Sequence, residues 1–469
     1  MLKVLRNILD VLLRSVHIII LINLGLLFSA RGDLISTEIL STRNLLNTQN
    51  YIESELNQIV SDMFSIEPAK YGYWMYKVTY ETIDINGNPH IATGSISYPR
   101  VDWPDLADQA FPILSYQHGT VVEKNSVTSE NGEWILSAIL TGAGYVYVEP
   151  DYLGLGGSEG MHPYQLKEPY GTACVDMLRA VRLFSFENEQ FELNDQLFLA
   201  GYSEGGYATM ALQQIIERDY ADEFSITTSF PMAGAYSMSG IMVDVMLAQV
   251  PYGEPYYFPY VLFAYLDYYP TIGSPEQYLL PEYLFLEDYF DGYHSSTEIN
   301  DSMPSIPITI MKPEEIVNFE NDLNHPLRVA LKENDLWDWL PESPLYIFHG
   351  EGDELVPFEN AQIAYNQFIE NGVENVFLEA IPESFGGHQD VAPWALFGAY
   401  QIAAEIQLIN NLGDVNQDGE LNIFDIIKIV NIILNGSEIY YELWASDLNS
   451  DQDFNILDII ILADSILEY

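Results

Sequence analysis

The chain has 469 residues, 48% of them hydrophobic, which is enough for roughly two or three domains with packed cores. Lysine and arginine number 17 against 69 aspartates and glutamates, for a formal net charge of -52. Because phosphate binding needs clustered cations, this balance argues against a nucleic-acid partner and is typical of a solvated acidic surface.

Residues 1–30 have the pattern of a signal peptide. A basic region with Lys3 and Arg6 precedes an apolar run at 16–28, and small residues follow at Ser29 and Ala30. The apolar core is shorter than the ~18 residues of a spanning helix, and a membrane anchor is the alternative. The pattern predicts export, to the extracellular space or cell surface, with the periplasm as another destination.

The central part of the chain alternates between two kinds of apolar pattern. After a predicted helix at 37–63 come two strands joined by the turn Asn86-Gly87-Asn88. Strands are then predicted at 112–116, 145–148, 197–200, 226–230, 345–348 and 376–378, and helices at 133–140, 172–186, 207–218, 359–370 and 393–408. This alternation predicts an α/β fold, with a mainly parallel sheet and helices on both faces. The single cysteine, Cys174, excludes an internal disulfide and is expected to be buried.

Residues 235–334 interrupt the alternation and are rich in tyrosine, phenylalanine and proline. We interpret this segment as a cap inserted over the carboxyl edge of the sheet. Its tyrosines suit the core of a small subdomain, and they equally suit a wall for an acyl chain or an aromatic substrate.

Two segments match Gly-x-Ser-x-Gly, the pattern of a nucleophilic serine. Ser203 follows an apolar strand and precedes a helical stretch, so a sharp turn would expose its Oγ above the sheet. Ser158 lies far from the preceding strand, and Pro163 opposes a helix after it. The context predicts Ser203 as the nucleophile and Ser158 as a loop residue.

The acid and the base of such a site are expected downstream, in the order serine, acid, histidine. Asp353, which lies at a strand end, is predicted to be the acid, with Glu351 and Glu354 as competitors. His388 is expected in a glycine-framed loop after the last core strand, where it could act as general base. His349, beside the acid, is expected to be structural or to line the pocket.

The pocket for a developing oxyanion needs two backbone donors. The first is predicted to be the amide of Glu204, immediately after the nucleophile. The second is predicted in the Gly119–Thr120 region, after the strand at 112–116, with His118 as a supporting hydrogen-bond partner.

These segments together resemble the secretory lipase family of α/β-hydrolases, the lipase A-like group, over roughly residues 44–407. The resemblance is carried by Gln117-His118-Gly119-Thr120, Glu149-Pro150-Asp151-Tyr152-Leu153-Gly154-Leu155-Gly156, His162-Pro163-Tyr164, Gly201-Tyr202-Ser203-Glu204-Gly205-Gly206, Asn324-His325-Pro326-Leu327, Asn334-Asp335-Leu336-Trp337 and the Asp353 and His388 segments. It implies a capped hydrolase domain at 34–410 that cleaves carboxylic esters through an acyl-enzyme, with no cofactor needed for catalysis. Glu204 departs from the glutamine of many members, which adds charge near the site and disfavours anionic substrates.

From residue 413 the chain contains two twelve-residue loops with calcium-loop spacing, each leading into an apolar helix. The first has glycine at its sixth position, where the second has Gln452. Both predict a structural calcium ion. The candidate ligands are Asp414, Asn416, Asp418, Glu420, Asn422 and Asp425 in the first loop, and Asp447, Asn449, Asp451, Asp453, Asn455 and Asp458 in the second.

This tandem at 413–469 resembles a type I dockerin, an all-α calcium-loop module that docks onto cohesin modules. The resemblance implies a cohesin-like or surface-anchoring partner. The contact positions are apolar, Ile423-Phe424 and Ile456-Leu457, where many dockerins carry small polar residues. The alternative is a calcium-stapled module that packs on itself or on an unrelated anchor.

The sequence therefore predicts a secreted serine hydrolase that acts on ester or lipid substrates. Two other functions stay open. The same triad chemistry would serve an exopeptidase or amidase. An inactive hydrolase fold could also act as a scaffold through its dockerin-like tail, although the ordered Ser, Asp and His argue against it.

Overall fold

A computed structural model describes residues 30–59, 64, 66–101, 109–132, 134–188, 191–437, 439–449, 451 and 453–468. The predicted signal peptide lies outside these residues except for Ala30. Within the described part of the chain, no helix has the length and apolar character needed to cross a membrane.

A ten-stranded sheet forms the centre of the molecule. Its strands are β1 Leu34–Arg43, β2 Gly72–Ile83, β3 Pro89–Arg100, β4 Gln109–Gln117, β5 Val146–Pro150, β6 Glu192–Tyr202, β7 Thr228–Met232, β8 Leu345–Gly350, β9 Val376–Ile381 and β10 Asn410–Asn411. Their order is β1-β2-β3-β5-β4-β6-β7-β8-β9, and β10 pairs with β4. Strands β5, β4, β6, β7, β8 and β9 are parallel, whereas β1, β2, β3 and β5 pair antiparallel.

Helices cover both faces of this sheet, as the alternating pattern predicts. The α-helices are α1 Leu45–Ile59, α2 Thr128–Asn131, α3 Ile135–Gly142, α4 Lys167–Asn188, α5 Glu204–Asp219, α6 Ile241–Leu247, α7 Tyr257–Tyr268, α8 Pro275–Tyr278, α9 Ser296–Asp301, α10 Pro313–Asn321, α11 Pro326–Glu333, α12 Glu359–Glu370, α13 His388–Ile406, α14 Ile423–Asn435, α15 Tyr440–Ser446 and α16 Ile456–Glu468. Helices α4, α5 and α12 contribute to the apolar core on one face, and α3 and α13 to that on the other. The mainly parallel α/β fold with two covered faces is therefore confirmed.

The structure differs from the sequence prediction at the start of the chain. The predicted helix at 37–63 is wrong over its first eight residues, because Leu34–Arg43 forms strand β1 and the helix begins only at Leu45, while its predicted end at 60–63 lies outside the described residues. Strand β1 pairs antiparallel with β2 from Leu34 to Arg43. Its residues are mostly exposed, so backbone pairing with β2, rather than apolar periodicity, decides its conformation.

The segment between β7 and β8 contains short helices α6–α11 and 3₁₀ turns, and it packs against the carboxyl side of the sheet. Its tyrosines divide between the two roles that the sequence left open. Tyr260 and Tyr265 are buried and donate hydrogen bonds to the carbonyls of Val121 and Gln165. Other tyrosines of the segment line a cavity at Ser203, described below.

The C-terminal helices α14–α16 pack against the α/β part of the chain without an intervening spacer. Strand β10 adds to the edge of β4, and Ala110 of β4 is buried in the apolar cluster of these helices. Asn410 accepts a hydrogen bond from Asn194 of β6 at 2.7 Å. Its own amide donates to Asp414 Oδ2 at 2.7 Å, which links the first acidic loop to the central sheet.

Candidate active site

Ser203 lies at the turn between β6 and α5, at the carboxyl end of the parallel strands. Its φ is 63°, in the left-handed region that non-glycine residues seldom adopt. This strained turn directs the residue away from the sheet, as expected for a serine in a strand–turn–helix motif.

The glycines beside Ser203 serve close packing rather than an unusual backbone conformation. The strained conformation belongs to Ser203 itself, whereas Gly201 and Gly205 have no positive φ. A Cβ at Gly205 would lie 1.9 Å from the carbonyl oxygen of Gln117, and one at Gly201 would lie 2.6 Å from it. These glycines therefore allow close approach between the turn and the end of β4.

The structure brings Ser203, His388 and Asp353 into one hydrogen-bonded chain. Ser203 Oγ lies 2.8 Å from His388 Nε2, and His388 Nδ1 lies 2.6 Å from Asp353 Oδ2. Because an ionised carboxylate only accepts, Nδ1 carries the proton, and Nε2 is left to accept the proton of Ser203. His388 and Asp353 are buried, so water competes little for these bonds.

The carboxylate of Asp353 is held by donors on both oxygens. Oδ1 accepts from the amides of Leu355 at 3.0 Å and Val356 at 2.8 Å. Burial alone would raise the pKa of Asp353, but hydrogen bonds from His349 and His388 outweigh burial and lower it to about 2. Asp353 is therefore ionised at neutral pH.

His349 is closer to this chemistry than the sequence indicated. Its Nε2 lies 2.7 Å from the carbonyl oxygen of Val356 and 3.3 Å from Asp353 Oδ2. Both of those oxygens accept, so Nε2 carries a proton and the ring supports the acid. Its position at the end of β8 was visible in the sequence, but this contact depends on the turn that folds Asp353 back.

His388 is the first residue of helix α13, not a loop residue as the sequence predicted. Its amide donates to Glu354 Oε2 at 3.0 Å, and its carbonyl accepts from the Tyr202 hydroxyl. These two backbone contacts add to the ring contacts with Ser203 and Asp353, so both the backbone and the ring of His388 are held in place. Glu354 and Glu351 were the alternatives to Asp353 as the acid. Glu354 contacts only the backbone amide of His388, and the side chain of Glu351 is exposed.

The predicted oxyanion residues lie on two sides of Ser203. Glu204 begins helix α5, so its amide belongs to the free N–H groups of a helix start. A Cβ at Gly119 would lie 4.0 Å from Ser203 Cβ, which places this loop beside the nucleophile. His118 Nδ1 donates to the Gly119 carbonyl at 2.8 Å, and Thr120 Oγ1 lies 3.0 Å from the Tyr164 hydroxyl.

Two concave spaces meet at Ser203. The first, the cap-side cavity, has a volume of about 50 Å³ and is mostly apolar, lined by Tyr164, Gln165, Ser203, Glu204, Ala235, Met238, Met242, Val245, Met246, Tyr252, Tyr257, Phe258, Val261, Pro307 and Val356. The second, the open cleft, has a volume of about 490 Å³ and includes Gly119, Thr120, Trp134 and Gln389. A substrate at Ser203 could therefore extend in two directions.

The Glu204 side chain belongs to a buried polar group that sequence reasoning missed. Its Oε1 lies 2.8 Å from His162 Nε2 and 2.8 Å from the Tyr170 hydroxyl. His162 Nδ1 lies 2.9 Å from the Leu153 carbonyl. The segment of His162 carried part of the family resemblance, but no sequence signal connected it to Glu204.

The second Gly-x-Ser-x-Gly serine is separate from this site. Ser158 is buried in a loop, and its Oγ lies 3.0 Å from His90 Nε2. Ser158 thus has a histidine partner of its own, but it lines neither the cap-side cavity nor the open cleft.

The two acidic loops fold in the same way. In the first, Asp425 accepts from the amides of Asn416 and Asn422 at 3.1 and 2.9 Å. In the second, Asp458 accepts from the amides of Leu448 and Asn455 at 3.1 and 2.9 Å. Carboxylate and amide oxygens of this kind fit a hard cation such as calcium. Within the described residues, however, no group of three or more His, Cys, Asp or Glu is placed to hold a metal ion.

Solved structures similar to this chain are esterases, lipases and a hydrolase. The cell-wall-degrading esterase LipA from Xanthomonas oryzae has 27% identity and a TM-score of 0.70, over 81% of this chain and 98% of that one. A candidate hydrolase from Legionella pneumophila has 26% identity and a TM-score of 0.70, over 79% and 97%. Lipase A from Candida antarctica shares the fold at 17% identity and a TM-score of 0.53, over 76% and 78%.

The profile of the type I dockerin domain matches residues 412–467. Comparison with curated proteins gives no match. Both resemblances that the sequence predicted are thus confirmed, and the similarity to esterases supports ester hydrolysis. The chain combines an α/β-hydrolase fold similar to that of LipA-like esterases with a type I dockerin domain at its C-terminal end.

Proposed function

We propose that this protein is a secreted serine hydrolase that cleaves carboxylic esters through an acyl-enzyme. Ser203 is the nucleophile, His388 the general base and then acid, and Asp353 the residue that orients the imidazole. The observation that carries the proposal is the continuous chain from Ser203 Oγ through both ring nitrogens of His388 to Asp353 Oδ2, at 2.8 and 2.6 Å.

The proposed reaction follows from the proton positions. His388 Nε2 takes the Ser203 proton as Oγ attacks the ester carbonyl, and Asp353 stabilises the imidazolium that forms. The Glu204 amide and an amide of the Gly119–Thr120 region would stabilise the oxyanion. His388 then protonates the leaving alcohol, and the same steps with water release the acid.

The two spaces at Ser203 suit the two halves of an ester. The leaving alcohol must lie near His388, so we assign it to the open cleft, which includes the adjacent Gln389. The acyl group then enters the cap-side cavity. A cavity of about 150 Å³ holds a benzene ring, so a volume of about 50 Å³ suits an acyl chain of roughly two to four carbons.

We extend the proposal to the organisation of the chain. The hydrolase domain spans 34–410 with its cap at 235–334, and a dockerin-like module spans 413–469. Export would be directed by residues 1–30, which places the enzyme outside the cell or on its surface. A dockerin domain in an exported enzyme is consistent with attachment to a larger assembly.

The module is proposed to bind calcium through its two loops and to dock onto a cohesin-type partner. The apolar contact positions Ile423, Phe424, Ile456 and Leu457 are all exposed, at 58, 63, 63 and 51%. An interface built on them would be more hydrophobic than one built on small polar residues.

A single substrate panel tests the catalytic proposal. It contains p-nitrophenyl acetate, butanoate and dodecanoate, an acetylated plant cell-wall polysaccharide and an aminoacyl p-nitroanilide. The polysaccharide is included because the similar LipA enzyme degrades cell walls. We expect hydrolysis of the short esters, and cleavage of the anilide alone would instead identify a peptidase.

A further inference from the structure

One oxygen of the Glu204 carboxylate has no hydrogen-bond partner in the protein. Glu204 is 1% exposed, and it lines the cap-side cavity next to Ser203. Its Oε1 is engaged by His162 and Tyr170, as described above. Among the described residues, none donates a hydrogen bond to Oε2.

A second residue with an unpartnered acceptor lines the same cavity. Gln165 is 5% exposed, and no group of the described chain donates to its Oε1. Its φ of 58° is in the left-handed region. Its amide and carbonyl are held by the Tyr170 and Tyr265 hydroxyls, at 3.2 and 2.9 Å. The residue is therefore kept in a strained conformation by fixed contacts.

Two residues that each carry a buried acceptor without a donor, Glu204 and Gln165, thus line a cavity whose remaining wall is mostly methionine, valine and aromatic side chains. A buried acceptor without a donor is costly, and the cost is greater for a carboxylate than for an amide. A ligand that carries a hydrogen-bond donor would remove this cost, whereas a saturated acyl chain would not.

We propose that the cap-side cavity selects short acyl groups that carry a hydroxyl group, which donates to Glu204 Oε2. This inference rests on the proposed ester hydrolysis and on the assignment of the acyl group to this cavity. We favour a hydroxyl over an ammonium group because Glu204 already contacts His162, and because the remaining wall, including Met242 and Val245, cannot solvate a cation.

The hydrogen-bond directions allow a substitution that inverts this preference. Burial raises the pKa of the Tyr170 hydroxyl and the charge of Glu204 raises it further, so this hydroxyl keeps its proton and donates to Oε1. In Glu204→Gln the amide oxygen is therefore expected at the Oε1 position, where it accepts from Tyr170. The amide NH₂ then replaces Oε2, and an acceptor in the cavity becomes a donor.

The test compares p-nitrophenyl esters of butanoate, 3-hydroxybutanoate, 3-oxobutanoate and 3-aminobutanoate. The hydroxy and oxo groups occupy the same place, but only the hydroxyl donates. We expect the wild-type kcat/KM to favour the hydroxy over the oxo ester by about 10- to 100-fold, after correction for spontaneous hydrolysis, as for a hydrogen bond to a charged group. Glu204→Gln should shift this ratio toward the oxo ester by at least ~10-fold.

The matched control is Glu217→Gln, which makes the same change on helix α5 outside the cavity, and it should leave the ratio unchanged. Thermal unfolding and fluorophosphonate labelling show whether each variant is folded. If Glu204→Gln does not fold, the wild-type comparison decides by itself.

Each outcome separates the two proposals. If none of the esters is hydrolysed, the proposed function is overturned. Suppose that the esters are hydrolysed, but the ratio of kcat/KM for the hydroxy ester to that for the oxo ester is near one, or is the same in wild type and Glu204→Gln. Only the present inference is then overturned. A preference for the 3-amino ester over the 3-hydroxy ester would also overturn it, in favour of a cation site.

Discussion

Replacing Asp353 with asparagine tests the proposed mechanism at one atom. Oδ1 accepts two backbone N–H groups, from Leu355 at 3.0 Å and Val356 at 2.8 Å. Only the amide oxygen of asparagine can take this position, so its NH₂ group must face His388 Nδ1. The ring then keeps its proton on Nε2, where it cannot accept the proton of Ser203.

We therefore expect Asp353→Asn to reduce kcat by about 10⁴-fold, the size seen when a triad histidine is held in the wrong tautomer. That loss corresponds to roughly 5.5 kcal/mol of activation free energy. The assay is steady-state hydrolysis of p-nitrophenyl butanoate at neutral pH, and thermal unfolding checks that the variant is folded.

Glu354→Gln is the matched control, since an amide oxygen can still accept from the His388 amide. It should change kcat by less than about tenfold, and Glu351→Gln should have little effect because Glu351 is exposed. The reasoning fails if Asp353→Asn keeps more than a tenth of wild-type activity, or if Glu354→Gln is equally inactive.

Three other predictions follow from the structure. Ser203→Ala should lower the rate of ester hydrolysis by at least ~10⁴-fold. Ser158→Ala, which removes the serine that contacts His90, should leave this rate largely unchanged. Organophosphate labelling of Ser158 would contradict the assignment of Ser203 as the nucleophile. The pKa of Asp353 is lowered from 3.8 to about 2, so ionised Asp353 adds roughly 2 kcal/mol to the free energy of unfolding above pH ~4. This contribution is lost as the pH falls toward ~2, and the difference in unfolding free energy between wild type and Asp353→Asn should shrink over that range. Calcium chelation should unfold the module at 413–469, as seen by circular dichroism. A chain ending at Leu412 should keep its kcat, but its thermal unfolding midpoint should fall by at least ~2 °C because the packing around Ala110 is lost. An unchanged spectrum, or an inactive but folded truncated chain, would refute the last prediction.

The local parts of the fold could be predicted from the sequence because they depend on neighbouring residues. Strand β6, the turn at Ser203 and helix α5 are encoded by one continuous segment. The two acidic loops follow from ligand spacing within twelve residues. Residues 37–44 were predicted incorrectly as helix because strand β1 depends on hydrogen bonds to β2, whose paired residues lie thirty or more positions away.

By itself the sequence determined the fold class, the order of Ser203, Asp353 and His388 along the chain, and the dockerin domain. The tertiary structure decided which groups meet. His388 lies 185 positions from Ser203, and only the packing of α13 against the sheet brings its ring to Oγ. The burial of Glu204 beneath His162 and Tyr170 likewise depends on three separate segments. Propensity and spacing act over a few residues, whereas hydrogen-bond partners and burial depend on contacts that exist only after the chain has folded.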